Sequence, residues 1–194
     1  RKQILDFASR CEKLGFSGIW VLDVLGRGFP TVDPLILLSC IASVTENIEL
    51  GTSVLQVPLR QPVELAHRVQ SLNILAGGRL SLGIGAGSTP GGFDIVEADY
   101  AGRFKTLPQS LKLMRKAWNG EPIYGPPLSI WPSTEGGPPI LLGAWRSSRW
   151  IKMAAAECDG WIGSGIYSDW NDLEIGVRMY RDFGGGRVVV ANIF

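Results

Sequence analysis

Apolar residues recur along this chain at two alternating spacings. Ile4, Phe7, Ala8, Cys11 and Leu14 follow a helical period, and Gly15 suits the C-terminal stop. Gly18-Ile19-Trp20-Val21-Leu22 is then a continuous apolar run, the pattern of a strand covered on both faces, and it ends at Asp23. A loop leads to Asp33 and Pro34, an N-cap and first-position pair for a helix over 34–44. The next strand is predicted over 48–55. Pro62 opens a helix over 63–75, which Gly77 and Gly78 stop. A third strand over 80–85 is followed by a loop over 86–101. A helix over 103–118 comes next, in which Pro108 fits only the first turn.

Beyond Trp118 the pattern lapses. Residues 121–137 are rich in Pro and Gly without periodicity and read as an inserted excursion. Strand spacing returns over 139–143 and 160–163, and Ser147 or Ser148 caps a helix between them that runs to Glu157. A helix over 168–183 ends at Gly184-Gly185-Gly186, and 187–194 is a sixth strand. Strands alternating with helices at roughly 30-residue spacing mean repeated βα units and a parallel sheet. A helix in front and a strand at the back look like the middle of a TIM-type (β/α)8 barrel, incomplete in its first strand and C-terminal part. An open doubly wound sheet is the competing fold. No linker divides the 194 residues, so 1–194 reads as one domain.

Composition narrows the partners. With 45% hydrophobic and 19% charged residues, the chain has the balance of a globular protein. A net charge of +1 gives no reason to expect a nucleic acid or an anionic membrane. No apolar run approaches the roughly 20 residues of a membrane span. The first residues do not form a signal peptide. Cys11, Cys40 and Cys158 are odd in number and far apart, as expected of reduced thiols in a cytoplasmic protein.

Barrel logic places chemistry at the C-terminal strand ends. The ends so selected are Asp23, Ser53 and Val54, Gly85 to Ser88, Gly143 to Ser148, Gly163 to Gly165, and Asn192. The richest stretch is Gly83-Ile84-Gly85-Ala86-Gly87-Ser88, where missing side chains let a ligand lie on the main chain. The bland alternative is a tight strand-to-helix turn. Asp23 ends an apolar strand. It is either a solvated acid or a buried one whose charge orients a neighbour.

Several segments together resemble the bacterial luciferase-like family of flavin-dependent oxidoreductases, which includes deazaflavin enzymes. They are Gly51-Thr52-Ser53-Val54, Pro58-Leu59-Arg60 with Pro62, Ser81 to Gly87, Pro138-Pro139-Ile140 and Ala155 to Trp161. The resemblance implies a (β/α)8 barrel holding reduced FMN or the deazaflavin coenzyme F420. It also implies a small organic substrate, a flavin reductase as possible partner, and a homodimer. Ser53-Val54 matches a position where relatives often carry a non-prolyl cis peptide under the flavin ring. Gly85, Ala86 and Gly87 would pass beneath the ring or its ribityl chain, to which Ser88 and Thr89 would bond. Gly143, Ala144, Arg146, Ser147 and Ser148 would hold the phosphate-like tail, Ser147 and Ser148 by hydroxyls and helix-terminal N–H groups. A plain helix cap is the alternative there, and Trp145 either shields a ring or packs.

One departure stands out. Many relatives place histidine after the acid, and here Val24 follows Asp23. Asp23 therefore remains as the catalytic candidate, and a non-catalytic flavin-binding protein is the alternative. The single histidine, His67, falls on a helix away from the strand ends, so a Ser-His-Asp triad is not expected. One histidine and scattered cysteines leave no zinc-type cluster, and no phosphate loop of the GxxxxGK[ST] kind occurs.

Overall fold

The computed structural model describes residues 2–166 and 168–191. The expected strand beyond Ala191, with Asn192, lies outside them. Helix α1 (Lys2–Lys13) leads into β1 (Gly18–Val21). Next come α2 (Pro34–Ala42), β2 (Glu49–Thr52), β3 (Leu55–Gln56) and α3 (Pro62–Leu75). Strand β4 (Leu80–Gly85) is followed by α4 (Pro90–Ile95) and α5 (Arg103–Trp118). The remainder is β5 (Ile140–Gly143), α6 (Ser148–Glu157), β6 (Gly160–Ser164), α7 (Trp170–Asp182) and β7 (Arg187–Ala191).

The strands lie in the order β1-β2-β4-β5-β6-β7, with β3 also on β4, and every pairing is parallel. Helices of the outer layer bury Leu38, Leu65, Val69, Met114 and Ile151 against strand residues Leu50, Leu80, Leu82 and Leu142. The sheet curls strongly. Arg187 of β7 donates to both carboxylate oxygens of Glu49 in β2 at 2.6 Å, although three strands separate them in the sheet. Ser81 of β4 donates to Glu49 Oε1 at 2.5 Å and accepts from Arg187 at 3.1 Å. Contact between side chains of such distant strands requires a barrel-like interior, as expected for the (β/α) barrel and not for an open sheet.

Four local expectations need correction. The strand predicted over 48–55 breaks after Thr52. Leu50 stands opposite Leu80 but Leu55 opposite Ile84, so one extra residue is taken up between them. The loop over 86–101 contains α4, which Pro90 opens. Pro108 lies beyond the first turn of α5, where it removes the donor that would reach back to Phe104. Ser147 does occupy the N-cap of α6, yet its side chain makes no capping bond.

Excursion 119–138 is fastened to the helical layer. Trp118 is fully buried and donates to Ala66 O at 3.0 Å, while Gly136 N returns to Trp118 O at 3.2 Å. Under the excursion lies a cavity of about 330 Å³, lined by apolar groups such as Val63, Ile123 and Leu128 and by none of the strand-end glycines.

Helix α1 is tied to the entry of β2 by Glu12, whose Oε1 accepts from Asn47 N at 2.7 Å, Ile48 N at 2.8 Å and Glu46 N at 3.0 Å. These bonds, those from Asn47 and Ile48 foremost, hold its carboxyl below the usual carboxylate range. The fold therefore favours the ionised form. Its stabilisation is complete above the ordinary value of 4.5 and is lost as pH falls through the lowered folded value. In thermal melts, Glu12→Gln is expected to lower Tm at neutral pH, and the gap from wild type should close as the solution is acidified.

Candidate functional site at the strand ends

Parallel pairing puts the C-terminal ends of all the strands on one side of the sheet. Because β2, β4 and β5 are neighbours, 53–54, 85–88 and 143–148 meet there. The Ser53–Val54 peptide is cis, as the resemblance implies. Val54 sits in a slot between two glycines. A Cβ on Gly85 would stand 2.5 Å from Val54 Cγ2, and one on Gly143 would stand 2.7 Å from Val54 Cγ1. Just below, Thr52 Oγ1 donates to Gly83 O at 2.7 Å and clamps β2 to β4. Ser53 is buried and Val54 half-buried, so this floor is formed of main chain and one small side chain.

The glycine run continues the floor. Gly87 has φ of 85°, and a Cβ there would meet the Phe93 ring at 2.8 Å and Gln56 Oε1 at 2.9 Å. Only glycine combines that dihedral with that space. Gly87 O accepts from Arg103 Nε at 3.1 Å. Ser88 Oγ accepts from Arg27 at 2.6 Å, and Ser88 O from Tyr100 at 3.1 Å. Ser88 is thus already engaged by the loop after β1, and its O–H remains to donate.

Beyond the end of β5, Arg146, at φ 51°, pairs with Asp172 in the first turn of α7. That hydrogen bond holds the Asp172 carboxyl below its usual range. One amino group of Arg146 is therefore engaged by α7. Trp145 donates to Ser168 at 2.6 Å, and Ala144 O accepts from Trp161 at 2.8 Å. At this end Ser147 stands at the N-cap of the ten-residue helix α6 with its hydroxyl making no capping bond, beside the helix's first N–H groups. Ser148 is exposed beside it.

Asp23 is the buried acid of the two alternatives. Its carboxylate takes both prongs of Arg60, at 2.6 and 3.0 Å, and Gln56 N at 2.8 Å. Burial pulls the Arg60 guanidinium down, but hydrogen bonding and attraction to Asp23, with Asp33 beyond, outweigh it and leave Arg60 above its ordinary value. Asp23 thus orients Arg60 and Gln56, two residues that strand-end reasoning missed. Arg60 stood only in the Pro58-Leu59-Arg60 match, and Gln56 carried no signal. His67 is exposed on α3, as expected. Burial pushes the Cys158 thiol up to about 11, so it remains protonated and is a poor nucleophile. Among the described residues no group of three or more His, Cys, Asp or Glu is placed to hold a metal ion.

The slot around Val54 makes a direct prediction. Gly143→Ala should push Val54 aside and lower unfolding stability by about 1–3 kcal/mol, read from urea titrations.

Comparisons with known proteins agree with this geometry. A 4-hydroxyprotoasukamycin monooxygenase of Streptomyces nodosus subsp. asukaensis is 31% identical over 121 residues, 61% of this chain and 33% of the relative. A putative coenzyme F420-dependent oxidoreductase of Mycobacterium tuberculosis is 29% identical over 198 residues, 86% of this chain and 54% of the relative. The chain therefore spans a third to about half the length of these relatives. Among solved structures, the FMN-bound oxygenating constituent of 3,6-diketocamphane monooxygenase from Pseudomonas putida superposes with a TM-score of 0.81. It is 19% identical, covering 97% of this chain and 60% of that one, and so shares the fold. Residues 1–185 match the family described as luciferase-like monooxygenase. The chain belongs to that family, whose members are flavin- or F420-dependent oxidoreductases.

Proposed function

We propose that the strand-end floor seats the tricyclic ring of reduced FMN, or of coenzyme F420, and that the whole protein is a monooxygenase or hydride-transfer enzyme for a small organic substrate. The observation that carries this reading is the Val54 slot between Gly85 and Gly143, continued by Gly87. There bare main chain and one small side chain can approach a planar ring. A larger side chain at 85 or 143 would collide with Val54, so only small groups line this floor, as a ring lying on it would require. When bound, the reduced coenzyme supplies the electron pair for the reaction. The protein holds the ring against 53–54, bonds the tail at Ser147, and keeps water from the covered face.

FMN is the first choice, since a protein of the same fold is FMN-bound and a relative is named a monooxygenase. F420 is close behind, supported by the Mycobacterium tuberculosis relative. With FMN, a separate flavin reductase would supply the reduced form, and a homodimer is the expected assembly. Three free cysteines suit a reducing, cytoplasmic setting. Among the described residues no helix is long and apolar enough to cross a membrane.

A second reading is favoured by Val24, which stands where many relatives have histidine, and by the engagement of the Asp23 carboxylate with both prongs of Arg60. In that reading the protein binds flavin without turnover.

Incubation with FMN or F420, followed by desalting, should leave one chromophore on the protein, and its absorbance names the coenzyme. Retention of neither would overturn the proposal. If FMN is held, Ser147→Ala should weaken it by about 1 kcal/mol, roughly fivefold, and leave riboflavin affinity unchanged. Oxygen-dependent product formation with reduced FMN would separate the enzyme from the non-catalytic binder.

A further inference from the structure

Arg60 lies away from the strand-end glycines, yet its contacts reach them. It holds Asp23 with two prongs, and its Nη1 also donates to Gln56 O at 3.1 Å. Gln56 in turn is locked to Asp23 twice, through its backbone N–H and through Nε2 to Asp23 O at 2.8 Å. The acceptor end of the same carboxamide rests against Gly87, 2.9 Å from where a Cβ would stand. One side chain thus spans from the end of β1 to the bend after β4. It belongs to the segment that leaves the 53–54 step and pairs Gln56 with Gly85.

Charge decides whether this arrangement holds. The Asp23 side chain is only 3% exposed and that of Arg60 14%. A carboxylate so buried is tolerated because Arg60 neutralises it. Of two other arginines in this region, Arg68 reaches Asp33 at 3.4 Å and Glu64 at 3.7 Å, and Arg27 donates to Ser88. Asp33 itself lies 3.7 Å from Arg60. Without Arg60 the negative charge would keep one backbone N–H as partner, and water or rearrangement would have to compensate. The contacts that yield first are those of Gln56, since they share Asp23.

We propose that Arg60 is a positioning residue for coenzyme binding. By neutralising Asp23 it fixes Gln56 in the orientation that props the Gly87 bend and the 53–54 step. The inference rests on the coenzyme reading above and adds the residue that keeps its floor in shape. Because the effect runs through charge, removing both charges together must undo it. A role in packing alone would be lost equally in both cases.

The test compares wild type, Arg60→Met, Asp23→Asn and the double variant at one pH. FMN and F420 affinities are read by titration, and amide hydrogen exchange over 54–56 and 86–88 is followed in ligand-free protein. Arg60→Met is expected to weaken binding of whichever coenzyme the wild type holds by at least about tenfold and to speed exchange in both segments. Adding Asp23→Asn should return both readouts to within about threefold of wild type. Arg60→Lys keeps the charge without the fork and should fall between wild type and Arg60→Met, and Arg60→Gln replaces Arg60→Met in the comparison if that variant does not fold. Equal losses in the single and double variants, or none in Arg60→Met, would overturn the assignment. If wild type holds neither coenzyme, the coenzyme reading fails, and the exchange data still decide whether Arg60 positions these segments.

Discussion

Close approach of three strand ends, with no side chains to keep them apart, is the constraint on which the rest of this site depends. Val54 can lie between β4 and β5 because positions 85 and 143 are glycine. The chain reaches that slot by taking up one extra residue between two stretches of regular parallel pairing on the same strand. Everything around the floor adapts to it. Thr52 clamps the strands from below, Gly87 turns the chain away at a positive φ, and Gln56 fills the space that a side chain at 87 would need.

Much of the architecture could be read from the chain. Continuous apolar runs became strands almost to the residue: Leu80 to Gly85 is buried throughout, with no polar side to alternate with, while Gly18 to Val21 forms a strand that is only half-buried. Asp33-Pro34 and Pro62 marked helix starts because each removes or satisfies an orphan N–H. The split of the second strand was not legible, because a register step leaves the apolar pattern intact. Helix α4, only six residues long, has too few turns to show a period.

At the site, the glycines were legible and the charged partners were not. A missing side chain is visible in the sequence, whereas the pairing of Asp23 with Arg60 spans 37 residues and depends on where two loops meet. The same holds for Arg146. Its place beside two serines suggested an anion and gave no sign of the bond to Asp172, 26 residues further on. Polar residues at strand ends therefore name a neighbourhood, and the fold decides which of them are already spoken for by each other.

The bond between Glu49 and Arg187 has a wider meaning. It joins the second strand to the last described one across the interior, at the N-terminal ends of the strands and away from the glycine floor. The curled sheet is thus tied together at the end opposite the glycine floor. Loops at the opposite end can therefore change in length or sequence without cutting this tie, which none of them makes.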